Sequence, residues 1–350
     1  MNAEPYPGLR EVEPYSSPLP NVPVRLNTNE CPTDMPESYF AMLSAVVREI
    51  PLHRYPDPMI RRLRTKLAEL TGQPVEGIWV ANGSNEILLQ LLQAYAGSGR
   101  RAVLFPPTYL LHSRLCWVTH TEVQQITLEA PYELDRAAVD AAIAAEPDVI
   151  FVCSPNNPTG TSHPPELIAA LAEATSALVI VDEAYIEFGG GSVLPLLDDL
   201  ANLVIVRTLS KAFAMAGARI GYCLAWPAVV EDLMRVRLPY HMSTLTQAAG
   251  IAALLHAADM EPVLAAIRAQ RDRLYEELSA MQGVTAYPSS ANFVLFVPPG
   301  DAAEVWSGLV DRGVLVRDMS SVVPNALRVS AGTEAEVDQF LSSIREVLAA

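Results

Sequence analysis

Lysine is rare in this chain: of its 24 lysines and arginines, only Lys66 and Lys211 are lysine. Lys66 falls in Arg61-Arg62-Leu63-Arg64-Thr65-Lys66-Leu67, an amphipathic helical pattern in which a basic residue reads as a solvated surface charge. Lys211 lies instead between an apolar run, Leu203-Val204-Ile205-Val206, and the small-residue stretch Ala212 to Ala218. A protein that otherwise obtains positive charge from arginine has a chemical reason to place a lysine there. A buried or cation-flanked amine loses its proton near neutral pH and forms a Schiff base with an aldehyde or ketone, whereas guanidinium stays charged. The plainer reading is a lysine that caps a loop or pairs with a carboxylate. Thr208, Ser210 and Arg219 accompany it, hydroxyls and a guanidinium suited to a phosphate dianion. Together they match what a phosphorylated aldehyde needs.

The elements that must position these groups follow from the apolar runs. Ile78 to Ala81, Ala102 to Phe105, Val149 to Val152, Leu178 to Val181, Leu203 to Val206 and Ile220 to Leu224 read as short buried strands with helical segments between them, such as Glu166 to Ala174. Strands alternating with helices imply an α/β fold with a largely parallel sheet covered on both faces, and its ligands belong at the carboxyl ends of the strands. Beyond Pro239 the texture changes. Helical patterns over Thr244 to His256 and Val263 to Met281, short strands at Phe293 to Val297, Val314 to Val316 and Leu327 to Ser330, and a last helix from Glu334 to Leu348 suggest a smaller α+β domain. The first 30 residues hold six of the 28 prolines and read as an extended arm. The expected organisation is an arm over 1–30, a large domain over 31–240 and a small domain over 241–350.

Composition narrows the function classes. Half the residues are hydrophobic and 18% are charged, so the chain is expected to fold as a globular protein. A net charge of −16 argues against non-specific nucleic-acid or anionic-membrane binding. No uninterrupted apolar run reaches about 18 residues and Met1-Asn2-Ala3-Glu4-Pro5 lacks signal-peptide character, so a cytoplasmic location is expected. Cys31, Cys116, Cys153 and Cys223 are scattered, which suits free thiols, and the six histidines form no metal-ligand spacing.

Further groups lie at the expected strand ends. Gly83-Ser84-Asn85-Glu86 opens a helix whose amides can face an anion, and Ser84 is equally suited to capping that helix alone. Tyr109 closes Pro106-Pro107-Thr108-Tyr109, Asn157 lies in Ser154-Pro155-Asn156-Asn157-Pro158-Thr159-Gly160, and Asp182 begins Asp182-Glu183-Ala184-Tyr185. With Ser210-Lys211, Gly217 and Arg219, these segments resemble the fold-type I pyridoxal-phosphate enzymes, specifically the class I/II aminotransferases. Leu26-Asn27-Thr28-Asn29-Glu30-Cys31-Pro32, Tyr55-Pro56 and Arg237-Leu238-Pro239-Tyr240-His241 extend the resemblance over nearly the whole chain, closest to the histidinol-phosphate aminotransferase subgroup.

That resemblance implies a fold-type I transferase using pyridoxal 5'-phosphate. Lys211 would carry the aldehyde and move the proton, and Asp182 would face the pyridinium nitrogen, each keeping the other charged. Tyr109 would stack on the ring, Asn157 and Tyr185 bond its phenolate oxygen, and Ser84, Asn85, Thr208, Ser210 and Arg219 hold its phosphate. Tyr55 would reach the cofactor phosphate of a neighbouring subunit, implying a homodimer with shared sites. Tyr15, Asn29, Arg317 and Arg328 would line the substrate position, and Cys31 stands where the family commonly has asparagine. The implied reaction takes a small-molecule amino donor, histidinol phosphate, and a 2-oxo acid acceptor, 2-oxoglutarate. An aromatic amino-acid aminotransferase, a threonine-phosphate-type decarboxylase and a non-catalytic regulatory protein are the alternatives on the same scaffold.

Overall fold

The computed structural model describes residues 4, 6, 8–12, 14 and 20–349. In chain order they form β1 (Val24–Arg25), α1 (Glu37–Glu49), α2 (Arg61–Thr71), β2 (Ile78–Ala81), α3 (Ser84–Tyr95), β3 (Arg101–Leu104), α4 (Leu110–Val118) and β4 (Glu122–Gln125). Next come α5 (Arg136–Ala144), β5 (Val149–Cys153), α6 (Pro165–Ala174), β6 (Leu178–Asp182), β7 (Leu203–Thr208), β8 (Gly221–Ala225) and α7 (Pro227–Val236). The remainder is α8 (Thr244–Leu255), α9 (Glu261–Ser279), β9 (Thr285–Ala286), β10 (Phe293–Val297), α10 (Ala302–Asp311), β11 (Val314–Leu315), β12 (Arg317–Asp318), β13 (Leu327–Ser330) and α11 (Glu334–Ala349).

Seven strands make one sheet in the order β2-β8-β7-β6-β5-β3-β4. Every residue of β2, β5, β6 and β8 is buried, as uninterrupted apolar strands require when helices cover both faces. One cluster, containing Trp79, Leu88, Phe151, Val206 and Leu233, fills one face under α3, α4 and α7. The other face opens into a larger cluster that runs without a break from Val152 and Val181 through Phe293 to Phe340. The sheet is largely parallel, as expected, with one reversed strand: β4, β3, β5, β6 and β7 are parallel, whereas β8 runs antiparallel to both β2 and β7. The short connection from Thr208 to Gly221 folds the chain back, so no crossover helix reverses its direction. β4 is an additional edge strand whose polar sequence, Glu-Val-Gln-Gln, carries no alternating apolar signal and suits an edge.

Downstream, β12-β13-β10-β9 form a four-stranded antiparallel sheet, while β1 pairs in parallel with β11. The start of the chain is therefore tied to its end, and Ser330 N–H donates to Leu26 O at 2.9 Å. This seam lays Leu26 to Glu30 across the carboxyl ends of the large-sheet strands.

Candidate active site

The site begins where β5, β6 and β7 end. Parallel register places Cys153 beside Asp182 and Asp182 beside Val206, so the turns after these strands emerge side by side. Asp182, the last residue of β6, is buried; its Oδ1 accepts from Ala184 N–H at 3.1 Å and its Oδ2 lies 3.3 Å from His112 Nε2. His112 is fully buried, stacked on Phe151 with ring centroids 4.7 Å apart. Sequence reading did not select this histidine; its position three residues beyond Tyr109, one helical turn along, was the available signal.

Lys211 follows β7 by three residues. Its Nζ donates to Thr28 O at 2.9 Å and lies 5.9 Å from the centre of the Tyr185 ring. Burial lowers its pKa to about 8, assisted by the Arg328 and Arg219 guanidiniums and opposed by the Glu30 carboxylate. The amine is thus set close to the range where its neutral, nucleophilic form is abundant at physiological pH. Lys66, by contrast, pairs with Glu69 at 2.6 Å across one turn of α2, an ordinary surface charge.

A second group forms an anion cradle. Gly83 precedes α3 at φ +86°, and a Cβ built there would come within 2.6 Å of Arg219 Nη2, so glycine lets the guanidinium lie against the helix start. Gly221 likewise permits the Ser84 amide to sit directly on β8, where a Cβ would come within 2.1 Å of it. Glu86 fixes the turn by accepting from Asn82 N–H and Nδ2–H, both at 2.8 Å. Thr208 Oγ1 donates to Ser210 Oγ at 2.9 Å, and Arg219 Nη1 donates to the same oxygen at 3.4 Å. Ser84, Asn85, Thr208, Ser210 and Arg219 are therefore gathered from two separated segments around one helix N-terminus, which favours an anion.

Arg328 lies on the small-sheet side of these groups. Buried on β13, it donates through Nη1 to Asn157 Oδ1 and through Nη2 to Asn27 O at 3.0 Å, above the Phe293 ring. Arg317 is its direct partner across β12 and β13, so both side chains start from the same face of the small sheet. The Asn29 side-chain amide is committed at both ends, donating to Tyr185 Oη at 3.0 Å and accepting from Ser330 Oγ at 3.0 Å. Asn156, also absent from the sequence-level selection, accepts from Thr108 Oγ1 at 2.9 Å and donates to Pro107 O at 2.8 Å, joining the two loops that carry Tyr109 and Asn157.

Tyr109 caps α4 half-buried, its ring edge-on to His112. Tyr55 is 80% exposed and stacked on Tyr240 with centroids 4.5 Å apart. Tyr15 lies outside the described residues.

One amine near neutrality, one buried carboxylate, amide and phenol donors, and an anion cradle make a donor set that fits pyridoxal phosphate: aldehyde, ring nitrogen, phenolate and phosphate each find a chemically matched partner. Replacing Arg219 with alanine is expected to weaken pyridoxal-phosphate affinity roughly tenfold. Absorbance titration of the apo-protein measures this, and an unchanged affinity would remove Arg219 from the cradle.

Comparison with known proteins agrees with this chemistry. Residues 22–344 match the family described as aminotransferase class I and II. The histidinol-phosphate aminotransferase of Streptomyces avermitilis is 48% identical over 97% of this chain and 95% of its own. That of Frankia casuarinae is 46% identical over 97% and 89%. A solved structure of histidinol-phosphate aminotransferase from Sinorhizobium meliloti in complex with pyridoxal-5'-phosphate superposes with a TM-score of 0.85 at 25% identity, covering 94% of this chain and 91% of that one. The architecture is the fold-type I pyridoxal-phosphate transferase fold expected from the sequence, and the chain belongs to the class I and II aminotransferases.

Proposed function

We propose that this protein transfers the amino group of L-histidinol phosphate to 2-oxoglutarate, giving imidazole acetol phosphate and glutamate, as a pyridoxal-phosphate enzyme of histidine biosynthesis. The observation that carries the substrate is the nearly end-to-end similarity to relatives named histidinol-phosphate aminotransferases, at 46–48% identity in the two described above. Arg317 and Arg328, partners in register on the small sheet, support it, because a guanidinium's fork of parallel donors suits a phosphate in one half-reaction and a carboxylate in the other.

Pyridoxal phosphate, when bound, supplies an aldehyde and a protonated ring that delocalises the electron pair left by a departing proton. The residues divide the remaining work. Lys211 Nζ would hold the aldehyde and, as a free amine, would move the proton from the substrate carbon and return it. Asp182 would stabilise a positive charge on the ring nitrogen, with His112 Nε2 beside its Oδ2 at 3.3 Å helping to fix the carboxylate. Asn157 and Tyr185 would donate to the phenolate oxygen, and Tyr109 would lie against the ring. Ser84, Asn85, Thr208, Ser210 and Arg219 anchor the phosphate.

The division into an arm (1–30), a large cofactor domain (31–240) and a small domain (241–350) belongs to the same proposal, the cleft between the last two receiving the substrate. So does a homodimer. Tyr55, Leu52, Leu238 and Tyr240 are exposed at 80%, 68%, 73% and 44%, and an apolar groove of about 300 Å³ lies between α1 and α8, lined by Met42, Val46, Ile251 and Leu255. A partner subunit would cover this surface and bring Tyr55 to its neighbour's cofactor, with Tyr15 closing over the substrate. No single helix among the described residues is long and apolar enough to cross a membrane, and the proposed place of action is the cytoplasm.

The test is glutamate formation by the cofactor-loaded protein with histidinol phosphate and, in parallel, with phenylalanine or tyrosine. A specificity constant at least about a hundredfold higher for histidinol phosphate, roughly 2.7 kcal/mol of transition-state discrimination, is expected. Preference for the aromatic acids would make the protein an aromatic aminotransferase.

A further inference from the structure

We propose that Asn29 is a positioning residue that acts through Tyr185: by occupying an acceptor site of the phenol, it leaves the Tyr185 hydroxyl proton to be donated to the phenolate oxygen of bound pyridoxal phosphate. The inference rests on the cofactor role proposed above and on a hydrogen-bond chain with only one consistent direction. Ser330 Oγ accepts from Asn29 N–H at 3.0 Å and spends its single proton on Asn29 Oδ1 at 3.0 Å. The oxygen end of the amide is therefore fixed toward Ser330, and the Nδ2 end must face Tyr185, to whose hydroxyl oxygen it donates at 3.0 Å. An amide nitrogen has no acceptor to offer, so the phenol proton points elsewhere. No other hydrogen bond to the Tyr185 hydroxyl is found among the described residues.

The backbone holds this arrangement rigidly. Asn29 sits at φ +54°, a left-handed conformation that asparagine tolerates better than most side chains, and its carbonyl accepts from Asn292 Nδ2 at 3.1 Å. Asn29 and Tyr185 are both buried, so neither hydrogen bond competes with bulk water. The flanking carbonyls are used as well: Asn27 O accepts from Arg328 and Thr28 O from Lys211. One short turn thus contacts the lysine, the phenol and Arg328.

A donor to the phenolate stabilises the form in which the neighbouring imine nitrogen has lost its proton, so losing that donor raises the pH at which the bound cofactor changes colour. Asn29→Gly keeps the left-handed backbone and removes the amide. Asn29→Asp keeps the shape but offers the phenol an acceptor, turning its proton inward. Each variant, and Tyr185→Phe, would be loaded with pyridoxal phosphate and its visible absorbance titrated against pH.

Asn29→Gly and Tyr185→Phe are each expected to raise the midpoint, Asn29→Gly by roughly one pH unit. The decisive comparison adds Asn29→Gly to Tyr185→Phe, where no further rise is expected because the two act through one proton. A full additional shift in the double variant, or an unmoved midpoint in Asn29→Gly, would overturn the proposal. If Asn29→Gly does not fold, Asn29→Asp decides in the same two backgrounds: a rise confined to protein that retains Tyr185 supports the role, and an equal rise without Tyr185 refutes it. Failure of the unaltered protein to bind pyridoxal phosphate would instead overturn the cofactor reading itself.

Discussion

Replacing Lys211 with alanine is expected to lower turnover by on the order of ten-thousandfold and to abolish covalent retention of pyridoxal phosphate, because one amine both attaches the aldehyde and moves the proton. Borohydride reduction followed by peptide mass analysis reads the attachment independently of activity: the unaltered protein should carry the cofactor on the peptide containing Lys211, and the variant should carry none. Lys211→Arg should not restore function, since guanidinium remains protonated. The lowered lysine pKa of about 8 adds a sign that can be checked. Capture of the aldehyde requires the neutral amine, so the rate at which apo-protein takes up cofactor should climb about tenfold per pH unit below 8 and level off above it. Turnover near the original rate in Lys211→Ala, or cofactor found on another peptide, would remove Lys211 from its role.

The second large effect is expected at Asp182. Its carboxylate is buried at the end of β6, where a charge is tolerable only beside a compensating one. His112 and the Ala184 amide supply hydrogen bonds, and in the proposed role the protonated ring nitrogen would supply the charge. Asp182→Ala should therefore reduce kcat by about a thousandfold or more, while cofactor affinity, carried mainly by the phosphate cradle and Lys211, falls much less. Asp182→Asn, which keeps the shape without the charge, separates electrostatics from packing and should be nearly as damaging. An Asp182→Asn enzyme with close to full kcat would show that ring protonation does not depend on this carboxylate. The variants should be judged for folding first, because removing the carboxylate also strips His112 Nε2 of its partner.

The residues proposed to carry chemistry were legible as candidates because they lie at the ends of strands that announce themselves. Val149 to Val152, Leu178 to Val181 and Leu203 to Val206 are uninterrupted apolar runs, and the polar residue that terminates each is where a parallel sheet delivers ligand-facing groups. Lys211 stood out by rarity as well as by position. Contacts made across long sequence separations were not legible. Nothing in Leu26-Asn27-Thr28-Asn29-Glu30 indicates that Asn29 will meet Ser330, 301 residues away, or that β1 will pair with β11. Periodicity reports which face of an element is apolar, not which distant element covers it. His112 escaped notice for a related reason, since a histidine within a mixed helix gives no sign that an aspartate 70 residues later will lie against it. The reversal of β8 was hidden because a buried strand has the same apolar sequence in either direction, and β4 because an exposed edge needs no apolar alternation. Tyr55 shows the limit of one chain, since its expected target belongs to a second copy.

A single turnover without any 2-oxo acid isolates the central chemistry. Protein loaded with one pyridoxal phosphate per chain would be mixed with excess histidinol phosphate, quenched, and its cofactor identified by chromatography. One pyridoxamine phosphate and one imidazole acetol phosphate per chain, formed at least as fast as steady-state turnover, are expected; cofactor recovered wholly as pyridoxal phosphate would contradict the assignment.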